Sequence, residues 1–216
     1  HFCFFHQPAA AEANYQMFWS ALRPLLEGNS EALARLDAIR EGFQGVMGKA
    51  IEAMWASKLG LSRYDADLVN ELLELMVRSK ADYTMVFRRL SALPAGIPEH
   101  LSALKESFYQ PSSEPLDAQW TQWLGRWREQ ITANGDLRET SAAMQRLNPA
   151  ITWREWLIAP AYEQAAQGDT SLIQELQAVF RHPYEAPSAE LAATYDRLKP
   201  REFFNAGGVS HYSCSS

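Results

Sequence analysis

Two residues of this 216-residue chain combine reactivity with a placement that asks for a reason: Cys3 in HFCFFHQPAA and Cys214 in GGVSHYSCSS. A thiolate attacks disulfides and is the form that oxidants reach, so the chemistry needs access and a raised thiolate fraction. Gly207 and Gly208 give the final segment conformational freedom, because glycine adopts positive φ at little cost. His211 stands three residues before Cys214, where a positive charge would lower the thiol from its ordinary pKa of about 8.5. Cys214 therefore reads either as an ordinary free thiol on a loose end or as the moving partner of an exchange reaction. Joining it to Cys3 would close roughly 210 residues and restrain the unfolded chain by about 5 kcal/mol at most in the loop-entropy picture. Two cysteines are too few for the framework of a small secreted domain, so a reducing compartment is expected, with any bridge regulatory.

Other reactive constellations are missing from the sequence. There is no G-x-G-x-x-G, no P-loop and no G-x-S-x-G, so no glycine-rich phosphate cradle or nucleophile elbow is expected. None of His1, His6, His100, His182 and His211 forms H-x-x-x-H or pairs with a cysteine at metal-ligand spacing, and no metal site is expected. Trp120, Trp123 and Trp127, with Trp153 and Trp156, could stack bases or sugars. The i, i+3, i+7 spacing of the first three favours a packing face inside the protein. Arg88 and Arg89 could hold a phosphate or carboxylate, but a cation pair facing the C-terminal end of a helix dipole is favoured. Glu71 and Glu74 fit a solvated helix face. No catalytic, cofactor-binding or metal-ligating residue is assigned from the residues alone.

The elements around these residues read as helical throughout. Ala13, Met17, Ala21 and Leu25 recur at i, i+4 and predict one buried stripe, ended by Gly28 and Asn29 with Ser30 as the next N-cap. Leu33, Leu36, Ile39, Phe43, Val46, Ala50 and Met54 predict a second, with a break expected at Gly42, Gly45 and Gly48 because each glycine costs about 1 kcal/mol against alanine. Leu68, Leu72, Leu75 and Met76 form a third apolar face. Asp136 with Glu139 resembles a capping box, Asn148 with Pro149 reads as a helix start, and Gly168 then Asp169 read as one helix ending and another beginning. Only VSHYS, near the end, looks β-like. The expectation is an all-α, irregular multi-helix bundle of eight to ten helices over residues 1–206, with a break between two halves near 94–115 and a tail at 207–216. Apolar residues make up 47% of the chain, enough for a packed core. The net charge of -6 argues against a nucleic-acid partner. No apolar run approaches 18 residues, so no membrane span is expected. The first residues show neither the basic region nor the apolar stretch of a secretory signal, and the start at His1 in place of Met suggests a fragment or a processed product.

In order, HFCFFHQPAAAEAN, ASKLGL, DYTMVFRRLS, LNPAITWREWL, AAQGD, RHPY and SCSS resemble the C-terminal part of the selenoprotein O family over essentially the whole chain. His6 stands where the family usually has the Asn of NQP, and Glu155 follows Arg154 where Asn is usual. The resemblance implies a protein-kinase-like fold in a pseudokinase that moves AMP from ATP to Ser, Thr or Tyr hydroxyls of proteins, with Mg or Mn as cofactor. It also implies that the residues gripping ATP and metal lie upstream of this chain. The chain would then brace an upstream kinase-like half, in the cytoplasm or, in a eukaryote, a mitochondrion. Protein substrates would be further partners. Cys214 matches the family's terminal cysteine or selenocysteine, which the resemblance pairs with a cysteine just ahead of the NQP segment. Cys3 is near that position, so an intrachain bond and a bond to an upstream cysteine both stay open. A stand-alone helical module that binds a partner helix is the alternative.

Overall fold

A computed structural model describes residues 6–95, 101–133 and 135–204. Cys3, Cys214, His1, His100, His211 and the VSHYS stretch lie outside the described residues. Among those described there are ten α-helices and no strand, with one isolated antiparallel bridge between Ala81 and Phe108. The chain divides into two compact units, His1–Trp55 and Ala56–Ser216.

The first unit is a helical hairpin. Helix α1 (Gln7–Leu22) is followed by a 3-10 turn at Arg23–Leu26 and by α2 (Ser30–Lys58), whose last residues count with the second unit. Gly28 takes φ 86° at the reversal. Asn29, one residue before the expected cap, accepts from the Ala32 N–H at 3.0 Å. Aromatic side chains make the seam between the helices. Tyr15 stacks on Phe43 with centroids 4.6 Å apart. The Trp19 indole donates to Asp37 at 3.0 Å, while Arg23 pairs with Asp37 at 2.5 Å. The Arg40 guanidinium lies 4.5 Å from the Trp19 ring.

That seam corrects the expected stripes. Ala13, Met17 and Ala21 lie on the opposite side of α1 and face out, as does Leu25 in the 3-10 turn, Met17 at 72% and Leu25 at 78% exposure. On α2 the half-buried residues are Leu33, Leu36, Phe43, Met47 and Ile51, whereas Ile39, Val46, Ala50 and Met54 are exposed. Rings at 15, 19 and 43 cover more area per residue than alanines, and the Trp19 indole adds a donor for Asp37, so they outcompete the plainer stripe. The expected break in α2 is also absent. Gly42, Gly45 and Gly48 meet nothing within 4 Å, so no neighbour competes with the i→i−4 ladder and the helix runs through them.

In the second unit the centre is α6 (Glu114–Thr132), preceded by α3 (Ala66–Arg78), α4 (Tyr83–Ala92) and the short α5 (Leu101–Lys105). Trp120, Trp123 and Trp127 are at most 1% exposed. Each indole N–H also finds an acceptor: Ser79 Oγ at 2.7 Å, the Leu68 carbonyl at 2.8 Å and the Leu59 carbonyl at 2.8 Å. The stripe is thus a packing face, as its period suggests, and it hitches α6 to the ends of other elements. Leu68, Val69, Leu72, Leu75 and Met76 of α3 are buried in the same unit. Asp65 caps α3 and Asp82 caps α4, each accepting at 3.0 Å.

Helices α7 (Leu137–Gln145), α8 (Glu155–Ala166), α9 (Ser171–Phe180) and α10 (Ala189–Tyr195) complete the unit. Asp136 caps α7, and Gly168 at φ 90° follows the end of α8, both as the sequence suggests. Ala150, Ile151, Trp156, Leu157, Ala161, Leu176 and Tyr195 form a cluster of buried residues around α8 and α9. The turn after α2 depends on Gly60 at φ 68°, where a Cβ would stand 2.6 Å from Thr140 Cγ2 and 2.9 Å from Met144 Sδ. Among the described residues, no helix is long and apolar enough to cross a membrane.

Candidate functional site

Polar residues from widely separated segments meet around α4. Lys58, the last residue of α2, sends its ammonium 2.7 Å to Asn148 Oδ1 and lies 4.5 Å from the Phe87 ring centroid and 5.5 Å from that of Tyr83. Asn148 is fully buried. Its Nδ2 donates to the Lys58 carbonyl at 2.8 Å and to Ser91 Oγ at 2.9 Å, and Ser91 donates to the Phe87 carbonyl at 2.7 Å. This corrects the expected helix start at Asn148-Pro149. The side chain that would cap is occupied, the Ala150 N–H goes to the Pro183 carbonyl at 2.7 Å, and α8 begins only at Glu155.

Arg88 and Arg89 divide the two expected roles between them: Arg89 holds carboxylates, and Arg88 faces backbone carbonyls that include that of Gln145, the last residue of α7. Arg88 Nη1 donates to the carbonyls of Gln145, Asn148 and Tyr184 at 3.1, 3.2 and 3.2 Å. Arg89 pairs with Glu106 and Asp196, both at 3.4 Å. Next to them, Arg154 grips Asp82 with two bonds of 2.8 and 3.0 Å, and both side chains are about nine-tenths buried. Bidentate contact of this kind fixes orientation as well as distance. Arg154 also donates to the Arg197 carbonyl at 3.1 Å, and the Tyr109 hydroxyl donates to Asp82 at 3.3 Å while accepting from the Lys199 N–H at 3.1 Å. The Asp82 N–H donates to the Ser107 carbonyl at 2.8 Å. Two buried polar atoms near this network, Ser107 Oγ and Trp156 Nε1, have no partner among the described residues.

Burial pulls the Lys58 amine down to about 8 and pushes the Tyr83 phenol up to about 12. Burial also lowers Arg88 and raises Tyr109. A lysine near 8 is partly neutral at neutral pH, as a nucleophile or base requires. Here, however, the two ring faces and Asn148 Oδ1 all favour the cation, so Lys58 serves as an anchor. Of the histidines, His6 is exposed, and His182 meets Glu185 at 2.8 Å on the surface. Glu71 pairs with Arg126, while Glu74 is exposed. Trp156 is buried and Trp153 is 63% exposed. Among the described residues no group of three or more His, Cys, Asp or Glu could hold a metal ion, and no residue is assigned to one.

Sequence reasoning missed the Lys58–Asn148 and Asp82–Arg154 pairs, which span 90 and 72 residues. The signal available was that each partner sits inside one of the landmark segments: ASKLGL, DYTMVFRRLS and LNPAITWREWL.

Among the described residues the chain is helical without a strand, and three of its landmark segments are tied to one another. The family model described as "Protein adenylyltransferase SelO" matches residues 1–181, and the chain belongs to this family. Among its relatives, the "Protein nucleotidyltransferase YdiU" of Tolumonas auensis is 31% identical over 223 residues, which take in all of this chain and 41% of the relative. The protein of the same name in Methylobacillus flagellatus is 32% identical over 221 residues, again with all of this chain and 41% of the relative. That in Rhodopirellula baltica is 32% identical over 232 residues, with 98% of this chain and 42% of the relative. The chain thus spans about two fifths of the length of these curated relatives.

Proposed function

We propose that these residues are the helical C-terminal portion of a SelO-type protein adenylyltransferase, which braces a kinase-like upstream half and carries a redox-sensitive tail at Cys214. Transfer of AMP from ATP to protein Ser, Thr or Tyr hydroxyls, with Mg or Mn, would be performed by the longer protein. Phosphoryl-type transfer relies on metal ions and cationic side chains positioned around the phosphates. The cations at the site described above are already committed: Lys58 to Asn148 and the aromatic faces, Arg88 to three carbonyls, Arg89 and Arg154 to carboxylates. The single observation that carries the proposal is the family match over residues 1–181, in a chain that covers two fifths of its relatives. A bracing role is supported by the outward apolar faces of the first unit, at Met17, Phe18, Leu25, Ile39 and Val46, which suit a covering partner. The partners would be the upstream half and protein substrates, with no nucleic acid or membrane, in the cytoplasm or a mitochondrion. Cys3 stays a doubtful partner for Cys214.

Labelled ATP with Mg or Mn is the test. The 216-residue chain alone should take up no label, and a version extended by the upstream half should label itself or a protein substrate. Label transfer by the 216 residues alone would overturn the proposal. For the tail, Cys214 should label with a thiol reagent in reduced samples and resist it in oxidised ones; equal labelling sinks that part. The alternative, a stand-alone helical interaction module, gains if the chain is monomeric and folds cooperatively by itself despite those apolar faces.

A further inference from the structure

Residues 196–204, which follow α10 in the second unit, are held by side chains of other segments. Asp196 pairs with Arg89 at 3.4 Å, the Arg197 carbonyl accepts from Arg154 at 3.1 Å, and the Lys199 N–H donates to the Tyr109 hydroxyl at 3.1 Å. Among the described residues the backbone of this stretch bonds only to nearby backbone, from Asp196 to Ala192, Phe203 to Pro200 and Phe204 to Arg201. None of its nine residues is buried, so little apolar area secures it. Trp156 sits against it, with the Arg197 guanidinium 5.3 Å from the indole centroid and the Phe203 ring centroid at 6.2 Å. That indole is 6% exposed, and its Nε1 has no partner among the described residues. A buried donor without an acceptor favours whichever state brings it to solvent. Asp82 does not depend on the stretch, because it keeps both Arg154 bonds and the Met85 N–H when the stretch is released.

We propose that residues 196–204 are a displaceable strap that opens as one unit from the end of α10 and controls access to Trp156 and Arg154 while the rest of the second unit stays folded. Opening gives up three polar attachments and two ring contacts, at Phe203 and Phe204, and hydrates the Trp156 N–H. Segments held in this way open locally, well below the free energy of global unfolding. The assignment rests on the strap and its holders and is independent of AMP transfer.

The test uses the longer protein, with its upstream half in place. Hydrogen exchange followed by mass spectrometry should show residues 197–204 exchanging about tenfold or more faster than α4 and α6. Hydroxyl-radical footprinting of the same protein reads the oxidation of each tryptophan. Tyr109→Phe removes the acceptor of the Lys199 N–H, and Phe204→Ala removes an edge-on ring contact of 5.5 Å at an exposed position. Each should raise strap exchange and Trp156 oxidation together by about fivefold, with α4 exchange and the oxidation of Trp120, Trp123 and Trp127 unchanged. Strap exchange in step with α4 and α6, unchanged rates in both variants, a rise that spreads to the α6 indoles, or faster strap exchange without faster Trp156 oxidation would overturn the assignment. Failure of the longer protein to transfer AMP leaves these readouts as they are, so the two proposals fail separately.

Discussion

Replacing Asn148 by alanine tests whether the polar network holds the second unit together. The side chain is fully buried and takes part in three hydrogen bonds, one of them from the Lys58 ammonium. Truncation leaves a buried amine without its oxygen acceptor and a carbonyl and a hydroxyl each short of a donor. A lost neutral bond with an unsatisfied buried partner costs about 1 kcal/mol or more, and a charged one about 2. Together the three bonds come to about 4 kcal/mol, before the small cavity is counted. Urea unfolding followed by tryptophan emission is a suitable assay, since Trp120, Trp123, Trp127, Trp153 and Trp156 all belong to the second unit. With a slope of about 2 kcal/mol/M, the midpoint should fall by about 2 M. Asn148→Asp, which keeps an acceptor for Lys58 but loses both donors, should fall between the two. A drop under about 0.5 M for the alanine variant would mean that the network is incidental to stability. Lys58→Met with Asn148→Leu removes both partners together and should recover much of the loss, because nothing charged is then left unpaired.

Three further outcomes are expected. Lys58 has a folded pKa near 8 against an ordinary value of 10.5, so between those values the unfolded chain binds more protons and stability should rise with pH. Measured against Lys58→Met, the natural chain should gain between pH 8 and 10; a flat difference would contradict the burial of this amine. Gly60→Ala should destabilise the second unit by more than about 1 kcal/mol in the same urea assay, because positive φ and two side-chain contacts oppose a Cβ. Gly45→Ala should do the opposite, raising thermal stability of the first unit by up to about 1 kcal/mol, since its surroundings are open and its helix unbroken.

Legibility followed the range of the interactions. The tryptophan stripe was readable because three large apolar residues at helical spacing declare one face wherever the partner lies. Asp136 and Gly168 were readable because caps act within a few residues. Asn148 was not: local spacing makes it a cap, while its partners Lys58 and Ser91 are 90 and 57 residues away. The hairpin stripes misled for a different reason. The stripe chosen for α1 left out Tyr15 and Trp19, of which the first stacks on Phe43 and the second donates to Asp37, and these contacts turn α1 to its other side. Of the site proposed from sequence, Cys3 and Cys214 lie outside the described residues, and the fold gives them no new argument.

The three indoles of α6 have an optical consequence. Trp120 and Trp123 cross at 80° with centroids 6.1 Å apart, while Trp123 and Trp127 lie within 9° of parallel. Electronic transitions on crossed chromophores at that separation couple into a pair of circular dichroism bands of opposite sign, whereas parallel ones contribute little rotation. The interior of this protein thus carries its own chiroptical signature, one that is lost when the core loosens enough to free these side chains, even if every helix survives.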